Sequence, residues 1–368
     1  MRRLGRWWAA CLALLLVAGA CRGHQTVPAP RPDAQDHLGQ GEVTFPGVHW
    51  DSVLSAEAVG YNSTGLAAVR EYLATLPTTG FMAVVHGRVL VSYGDLDSLS
   101  YLASARKSVL SMLFGTYVAS GKIRLDRNLA DLGIDDVGGL TPSERLATVR
   151  DLLSARSGVY HPASNPGDNL DSAPPRGSQP HGTYYLYSNW DFNALGTIFE
   201  HETGRSIYDA LQADLARPIG MEDFRRDLHE RSGDTTRSRH LAYHMILSTR
   251  DMARLGYLML RNGNWNGRQL VPREWVRKST SIVTPSRDMH PAFVRLGGLG
   301  YGYLWWILEP PRGSPLEGAY SARGAFGQYI AVFPKLDLVI AHKQAPGPAS
   351  VSWEQFMGAV NRLVAARR

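Results

Sequence analysis

The pattern of hydrophobic and polar positions changes twice along the chain, and these changes predict its layout. Strand-like apolar runs occupy residues 81–92 near the start and several short segments between 302 and 342 near the end. Between them, apolar residues mostly recur at helical spacing, with loops between the segments. Strands at both ends with helices between them predict one sheet that is assembled from both ends of the chain. We therefore predict an α/β fold of the α+β type, in which helices flank an antiparallel sheet and a mostly helical region is inserted at roughly 125–290.

Individual elements follow from the same pattern. Two apolar runs separated by the turn residues His86-Gly87-Arg88 predict a β-hairpin. An apolar helical segment runs from Ser104 to about Ser120, where Gly121 closes it. Near the C-terminus we predict strands at 302–307, 318–321, 328–333 and 338–342, followed by an amphipathic helix over 351–366.

The N-terminus has the pattern of an export signal. Three arginines lie among the first eight residues, and an apolar run from Ala9 to Ala20 follows. A run of this length is too short to span a bilayer, which needs about 20 helical residues, but it is typical of a secretory signal. The small residues before Cys21 resemble a bacterial lipobox, in which the cysteine is lipidated; the alternative is a plain cleaved signal with an incidental cysteine. We assign residues 1–20 to a lipoprotein signal peptide, 21–45 to a flexible tether and 46–368 to the folded domain.

This assignment predicts a membrane-anchored lipoprotein that faces the periplasm or the cell exterior. Both cysteines, Cys11 and Cys21, lie in or beside the signal, so the mature domain has neither a disulfide nor a cysteine nucleophile. The net charge of +6 comes from dispersed residues rather than a compact basic block, and we expect no nucleic-acid partner. His240 and His244 lack the His-Glu-x-x-His context of a metal pair, and we expect neither a metal ion nor an organic cofactor.

The first candidate for chemistry is the motif Ser104-Ala105-Arg106-Lys107. Residues three apart on a helix share a face, so the Ser104 hydroxyl and the Lys107 amine can meet. Serine needs an adjacent base to act as a nucleophile, and lysine can serve if burial depresses its pKa. An exposed helical pair would give the same spacing. However, no other lysine of the chain has a serine three residues before it, and the neighbours of Lys107 are mainly apolar.

Two later segments carry further candidates. Tyr187 and Asn189 follow a long polar loop and precede a helix, where a phenol can relay protons and an amide can hold Lys107 and a substrate carbonyl. A capping loop with a half-buried tyrosine is the alternative. Gly324 interrupts a strand pattern, which indicates close approach of backbone or ligand. We expect an edge strand there to donate the Ala325 N–H to a developing oxyanion; a simple hairpin or bulge is the alternative.

The order of these motifs, Ser-x-x-Lys, Tyr-x-Asn and a glycine-containing strand, resembles the serine β-lactamase/penicillin-binding-protein superfamily. The resemblance is closest to its class C and esterase-like members and extends from about Val48 to the end of the chain. It implies a β-lactamase/transpeptidase-like fold with an acyl-enzyme mechanism. By matching position, the resemblance implies that Ser104 is the nucleophile and Lys107 its base. It implies that Tyr187 is the proton relay and Asn189 a positioning amide. It also implies that Gly324 and Ala325, with the Ser104 N–H, form the oxyanion hole.

One departure from the family pattern affects the expected substrate. Where relatives have Lys-Thr-Gly or His-x-Gly, this chain has Ala322-Arg323-Gly324. Because Arg323 alternates away from Ala322 on a strand, we do not expect it to replace the missing basic residue directly. We therefore expect hydrolysis of an ester or amide bond in a small-molecule or peptide substrate. The alternatives are a D-alanyl-D-alanine carboxypeptidase or β-lactamase, and a catalytically silent cell-wall-binding lipoprotein.

Overall fold

The computed structural model describes residues 42–347 and 349–368, so the predicted signal peptide, Cys21 and most of the predicted tether lie outside the described residues. Its strands are β1 (Gly80–Val85), β2 (Arg88–Gly94), β3 (Ser100–Tyr101), β4 (Arg231–Ser232), β5 (Ala242–Tyr243), β6 (Ile246–Leu247), β7 (Asn264–Trp265), β8 (Arg268–Gln269), β9 (Leu299–Tyr301), β10 (Trp306–Leu308), β11 (Tyr320–Gly324), β12 (Gln328–Phe333) and β13 (Leu338–Lys343). Its α-helices are α1 (Ser63–Ala74), α2 (Arg106–Ala119), α3 (Val149–Leu153), α4 (Asn189–Thr203), α5 (Ile207–Ala210), α6 (Thr249–Leu260), α7 (Arg273–Ser279) and α8 (Trp353–Ala365).

Seven strands form one antiparallel sheet in the order β2-β1-β13-β12-β11-β10-β9. The first hairpin joins the C-terminal strands where β1 pairs with β13, with Gly80 opposite Lys343 and Val85 opposite Leu338. The sheet is therefore assembled from both ends of the chain. This confirms the predicted fold class, an antiparallel sheet with flanking helices.

Helices cover both faces of the sheet, because the central strands are apolar on both sides. In β1, Phe81, Ala83 and Val85 pack into one core cluster with residues of α1 and α8. Met82 and Val84 point the other way, into a larger cluster that includes α2, α4 and α6. Every residue of β1, β12 and β13 is buried, as expected for strands between two layers of helices.

The inserted region contains α3 to α7 and several short strands. A two-stranded sheet of β3 and β6 connects the insertion to the segment before Ser104, since Ser100 lies opposite Leu247. The helix α6 packs against β1, β12 and β13. At Gly256 this contact is so close that a Cβ would lie 2.5 Å from Val339 Cγ1. No helix within the described residues is long and apolar enough to cross a membrane.

The predicted single strand over residues 302–307 is wrong. The chain reverses there, so that β9 and β10 form a hairpin with Trp306 opposite Tyr301. The intervening loop is buried, and hydroxyl groups of α2 satisfy its carbonyl groups. Ser108 Oγ donates to Leu304 O (2.6 Å) and Ser111 Oγ donates to Tyr303 O (2.8 Å).

The N-terminal edge of the described chain also packs against the domain. Thr44 and Phe45 belong to the segment that we assigned to the tether. Thr44 N–H donates to His86 O at 3.1 Å, and the Phe45 ring lies edge-on to Tyr257 with 5.6 Å between centroids. These contacts join the start of the described chain to the β1–β2 turn and to α6.

Candidate active site

The proposed nucleophile lies in a tight turn before α2. Residues Ala103–Ala105 form a single 3₁₀ turn, and Ala103 has φ 47°, a conformation that non-glycine residues rarely adopt. Arg106 holds this turn, because its Nη1 donates to Ala103 O at 3.0 Å. Ala103 and Ala105 are buried, whereas Ser104 between them is partly exposed. The turn therefore leaves the hydroxyl group accessible on an otherwise buried segment.

Lys107 lies one helical turn further on, with Nζ 3.0 Å from Ser104 Oγ. The side chain is almost completely buried, with 1% of the residue exposed. Burial lowers the pKa of Lys107 well below its ordinary value of 10.5, and the charge of Arg106 lowers it further, while Asp168 acts in the opposite direction. A lowered pKa favours the neutral amine, whose lone pair can accept a proton.

Tyr187 and Asn189 approach Lys107 from the insertion. Lys107 Nζ lies 2.7 Å from Tyr187 Oη and 2.7 Å from Asn189 Oδ1. Burial raises the pKa of Tyr187 to about 12, while the nearby Ser104 hydroxyl acts in the opposite direction. Around neutral pH the phenol is therefore protonated and can donate. The structure thus brings together four of the residues that the sequence predicted.

Asn189 is held in place by the long polar loop before it. Its backbone N–H donates to Asp168 Oδ2 at 2.9 Å, and its Nδ2 donates to Pro166 O at 2.9 Å. Because the backbone N–H and the side-chain Nδ2 of Asn189 both donate to the loop, its Oδ1 faces Lys107. Sequence reasoning missed Asp168, because nothing in a loop rich in Pro, Gly, Ser and Asp distinguishes one aspartate from another.

Aromatic side chains enclose the amine and the phenol. Lys107 Nζ lies 4.4 Å from the centroid of Phe192. The Tyr187 ring packs on Trp306 with 5.6 Å between centroids and 30° between planes, and Tyr301 lies edge-on to Tyr187. These apolar walls exclude water and explain why burial is the largest influence on both pKa values.

The strand β11 reaches the nucleophile turn at Gly324. A Cβ on Gly324 would lie 2.5 Å from Leu102 O and 3.0 Å from Ala105 N, so only glycine fits here without movement. We predicted an edge strand, and this is wrong for β11 as a whole, because β10 and β12 flank it. However, β10 pairs only with Tyr320 and Ser321, which leaves the Gly324 end free on that side. Ala325 follows directly and begins a 3₁₀ turn.

The lipid on Cys21 and the absence of a metal ion both stay predictions. Cys21 lies outside the described residues. In the part of the chain that the structure describes, there is no group of three or more His, Cys, Asp or Glu side chains that could hold a metal ion. His240 is buried, and its Nδ1 lies 3.0 Å from Thr197 Oγ1.

Comparisons with known proteins concern the family and the fold. Residues 67–342 match the family model described as Beta-lactamase. An uncharacterised protein from Alkalihalophilus pseudofirmus is 32% identical over 265 residues, which cover 66% of this chain and 72% of that protein.

Solved structures share the fold at low sequence identity. A protein described as a 6-aminohexanoate-dimer hydrolase from Bacillus anthracis superposes with a TM-score of 0.60 and 18% identity, over 90% of this chain and 87% of that one. A penicillin-binding protein homologue from Caulobacter crescentus gives a TM-score of 0.61 and 18% identity, over 83% and 99%. A family VIII carboxylesterase gives 0.59 and 14%, over 86% and 99%.

The sheet, the inserted helices and the family match define the class: this is a hydrolase with the β-lactamase fold. The chain belongs to the Beta-lactamase family, whose model matches 67–342 of its 368 residues. This confirms the resemblance that the three motifs indicated.

Proposed function

We propose that the protein is a serine hydrolase that cleaves an ester or amide bond through an acyl-enzyme on Ser104. The observation that carries the proposal is the buried Lys107 amine, which lies within 3.0 Å of the Ser104 hydroxyl and 2.7 Å of the Tyr187 phenol. A nucleophile, a base of lowered pKa and a second proton carrier in mutual contact are the components that acyl transfer requires.

The reaction runs in two steps. The proton of Ser104 Oγ moves to Lys107 Nζ as Oγ attacks the substrate carbonyl, and the backbone N–H groups of Ser104 and Ala325 stabilise the oxyanion. Tyr187 Oη passes a proton to the leaving alcohol or amine and is reprotonated by Lys107, and the acyl group stays on Ser104. Water then attacks the acyl-enzyme and gives its proton to the same base. The bond between the acyl carbon and Ser104 Oγ breaks, Oγ takes that proton back from Lys107, and the acid is released.

Ester and amide substrates are favoured over β-lactams because of the third motif. The first position of that motif is Ala322, whose side chain is fully buried and carries no charge. A cation at that position would assist both substrate binding and proton transfer in β-lactam hydrolysis. D-alanyl-D-alanine peptide and β-lactam cleavage therefore remain the alternatives to be measured.

The test is a substrate panel with wild type and Ser104→Ala. It contains p-nitrophenyl butyrate, a D-alanyl-D-alanine peptide and nitrocefin. We expect turnover of the ester, and we expect Ser104→Ala to abolish it while the melting temperature stays within a few degrees of wild type. Full activity in Ser104→Ala would contradict the proposal, and faster cleavage of the peptide or nitrocefin would favour the alternatives. Failure of all substrates and of a fluorophosphonate probe would favour a silent cell-wall-binding lipoprotein.

We also propose that the protein is exported and anchored to a membrane by a lipid on Cys21. The basic start, the apolar run over 9–20 and the small residues before Cys21 support this proposal. Cys21→Ser should move the expressed protein from the membrane fraction to the soluble fraction, and an unchanged distribution would contradict the anchor.

A further inference from the structure

Arg323 lies on β11, directly before the glycine that contacts the nucleophile turn. Its guanidinium lies over two indole rings, with Cζ 5.1 Å from the centroid of Trp306 and 4.6 Å from that of Trp353. The two tryptophans come from different elements, the start of β10 and the start of α8. Aromatic faces on two elements hold the cation in one place while leaving its N–H groups free to donate.

This cation has no counter-ion within residues 42–347 and 349–368. No carboxylate there lies within 4.0 Å of the Arg323 guanidinium, and no acceptor there receives a hydrogen bond from that side chain. Among the arginines with buried side chains, Arg106 also lacks a carboxylate partner within the described residues, whereas two others are paired. Arg254 lies 3.2 Å from Glu222 Oε1, and Arg261 pairs with Asp337. Because a cation that is partly removed from water gains from a counter-ion, this unpaired guanidinium is an available site for an anion.

The position of Arg323 connects it to the candidate active site. Trp306, one of the rings that it covers, also packs against Tyr187. The positive charge of Arg323 acts to lower the pKa of Tyr187, although burial has the larger effect. Tyr329 lies opposite Arg323 on β12, and burial raises the pKa values of Tyr329 and of Tyr185, so both are neutral near pH 7. Arg323 is partly exposed, which leaves its N–H groups accessible to a ligand.

We propose that Arg323 binds a carboxylate group of the substrate, so that the preferred substrates of this hydrolase are anionic esters or amides. The proposal rests on the proposed function of the Ser104 site. A planar guanidinium with five N–H donors matches a carboxylate in two-point hydrogen bonding. The cation does not lie where the family has its basic residue. That position is Ala322, whose side chain packs into the core cluster that includes α2. Arg323 lies on the other face of β11, where Tyr329 is its neighbour on β12.

The test compares matched esters in wild type, Arg323→Met and Arg323→Lys. One pair is p-nitrophenyl butyrate and p-nitrophenyl hemisuccinate, in which the acyl part carries the carboxylate. The other is methyl 4-butyryloxybenzoate and 4-butyryloxybenzoate, in which the leaving group carries it. The readout is the ratio of kcat/KM for the anionic ester to kcat/KM for its neutral partner. A change in the pKa of Tyr187 or in the folded fraction affects both esters equally and cancels in this ratio.

We expect Arg323→Met to lower the ratio about 10- to 100-fold for one of the pairs, the loss typical of a broken charge-assisted hydrogen bond, and Arg323→Lys to lower it less. Arg287→Met removes an exposed arginine on the surface and should leave both ratios unchanged. Unchanged ratios in Arg323→Met would overturn the proposal.

A binding measurement separates this proposal from the proposed function. In Ser104→Ala, tryptophan fluorescence is titrated with 4-butyryloxybenzoate and its methyl ester, since Trp306 and Trp353 report on Arg323. We expect the anionic ester to bind more tightly, and the preference to be lost in the double variant with Arg323→Met. If the preference is lost but no ester is hydrolysed by wild type, the proposed function fails and the binding site stands. If esters are hydrolysed without an Arg323-dependent preference, the proposed function stands and the binding site at Arg323 fails.

Discussion

Gly324 offers a test of whether the nucleophile turn and β11 form one reaction centre. The substitution Gly324→Ala adds a single methyl group at the point where the strand meets the turn. That Cβ would lie 2.5 Å from Leu102 O, whereas ordinary contacts between carbon and carbonyl oxygen are about 3.3 Å or longer. The strand and the turn must therefore separate by roughly 0.8 Å at this position.

The expected consequences differ for stability and for catalysis. Overpacking of this size costs about 1–3 kcal/mol of folding free energy. A displacement near 1 Å between groups that must act together can reduce the rate about 100-fold. Because Gly324 lies between the Ser104 turn and Ala325, the displacement changes the distance between the two proposed oxyanion donors, the backbone N–H groups of Ser104 and Ala325. We expect kcat/KM for p-nitrophenyl butyrate to fall about 100-fold while the protein stays folded.

The control is Gly47→Ala, where an added Cβ has no atom within 4 Å. Steady-state hydrolysis of p-nitrophenyl butyrate gives kcat/KM, and thermal unfolding gives stability, for both variants and wild type. We expect Gly47→Ala to match wild type in both. If Gly324→Ala kept kcat/KM within about threefold of wild type, the close approach of β11 to Ser104 would not matter for the reaction, and our interpretation would be refuted.

Two further predictions follow from the charges around Lys107. Burial lowers the pKa of Lys107 below 10.5. At pH values between this native pKa and 10.5, unfolding therefore takes up a proton. The free energy of unfolding of wild type rises with pH in that window, by up to about 1.4 kcal/mol per pH unit. Urea unfolding of Lys107→Met should lack this rise between pH 7 and pH 9.5, and parallel curves would contradict the lowered pKa. Arg106 lowers the pKa of Lys107 by its charge, so Arg106→Met should move the acidic limb of the kcat/KM profile to higher pH. An unmoved limb would show that Arg106 only holds the turn.

Local geometry explains why the sequence predicted part of the site correctly. Ser104 and Lys107 are three residues apart, and the spacing correctly predicted that their side chains meet. The predicted helix start at Ser104 is wrong, because Ser104 lies in a 3₁₀ turn and α2 begins at Arg106. The β1–β2 hairpin and the strands β12 and β13 also follow from short-range patterns, and their predicted limits agree with the structure to within two residues. The contact of Lys107 with Tyr187 spans 80 residues. The position of Tyr187 after the polar loop left a capping loop as the alternative, and the resemblance to a known family favoured the catalytic role.

Other features depend on partners distant in sequence, which no local pattern reveals. The reversal between β9 and β10 is stabilised by Ser108 and Ser111 of α2, nearly 200 residues earlier. Those serines have no special signature within an apolar helix. Likewise, Arg323 was predicted to point away from Ala322, and it does, but the sequence did not reveal that two indole rings would hold it beside Tyr187.

Trapping the acyl-enzyme is the most direct test of the central claim, that Ser104 is made nucleophilic by a buried, uncharged lysine. Wild type is mixed with excess p-nitrophenyl butyrate, quenched in acid within milliseconds, and examined by intact mass and peptide mapping. We predict a butyryl adduct on the peptide containing Ser104, and no adduct in Ser104→Ala or Lys107→Met. Ester turnover with an adduct on another residue, or an adduct that forms at the wild-type rate in Lys107→Met, would contradict the account.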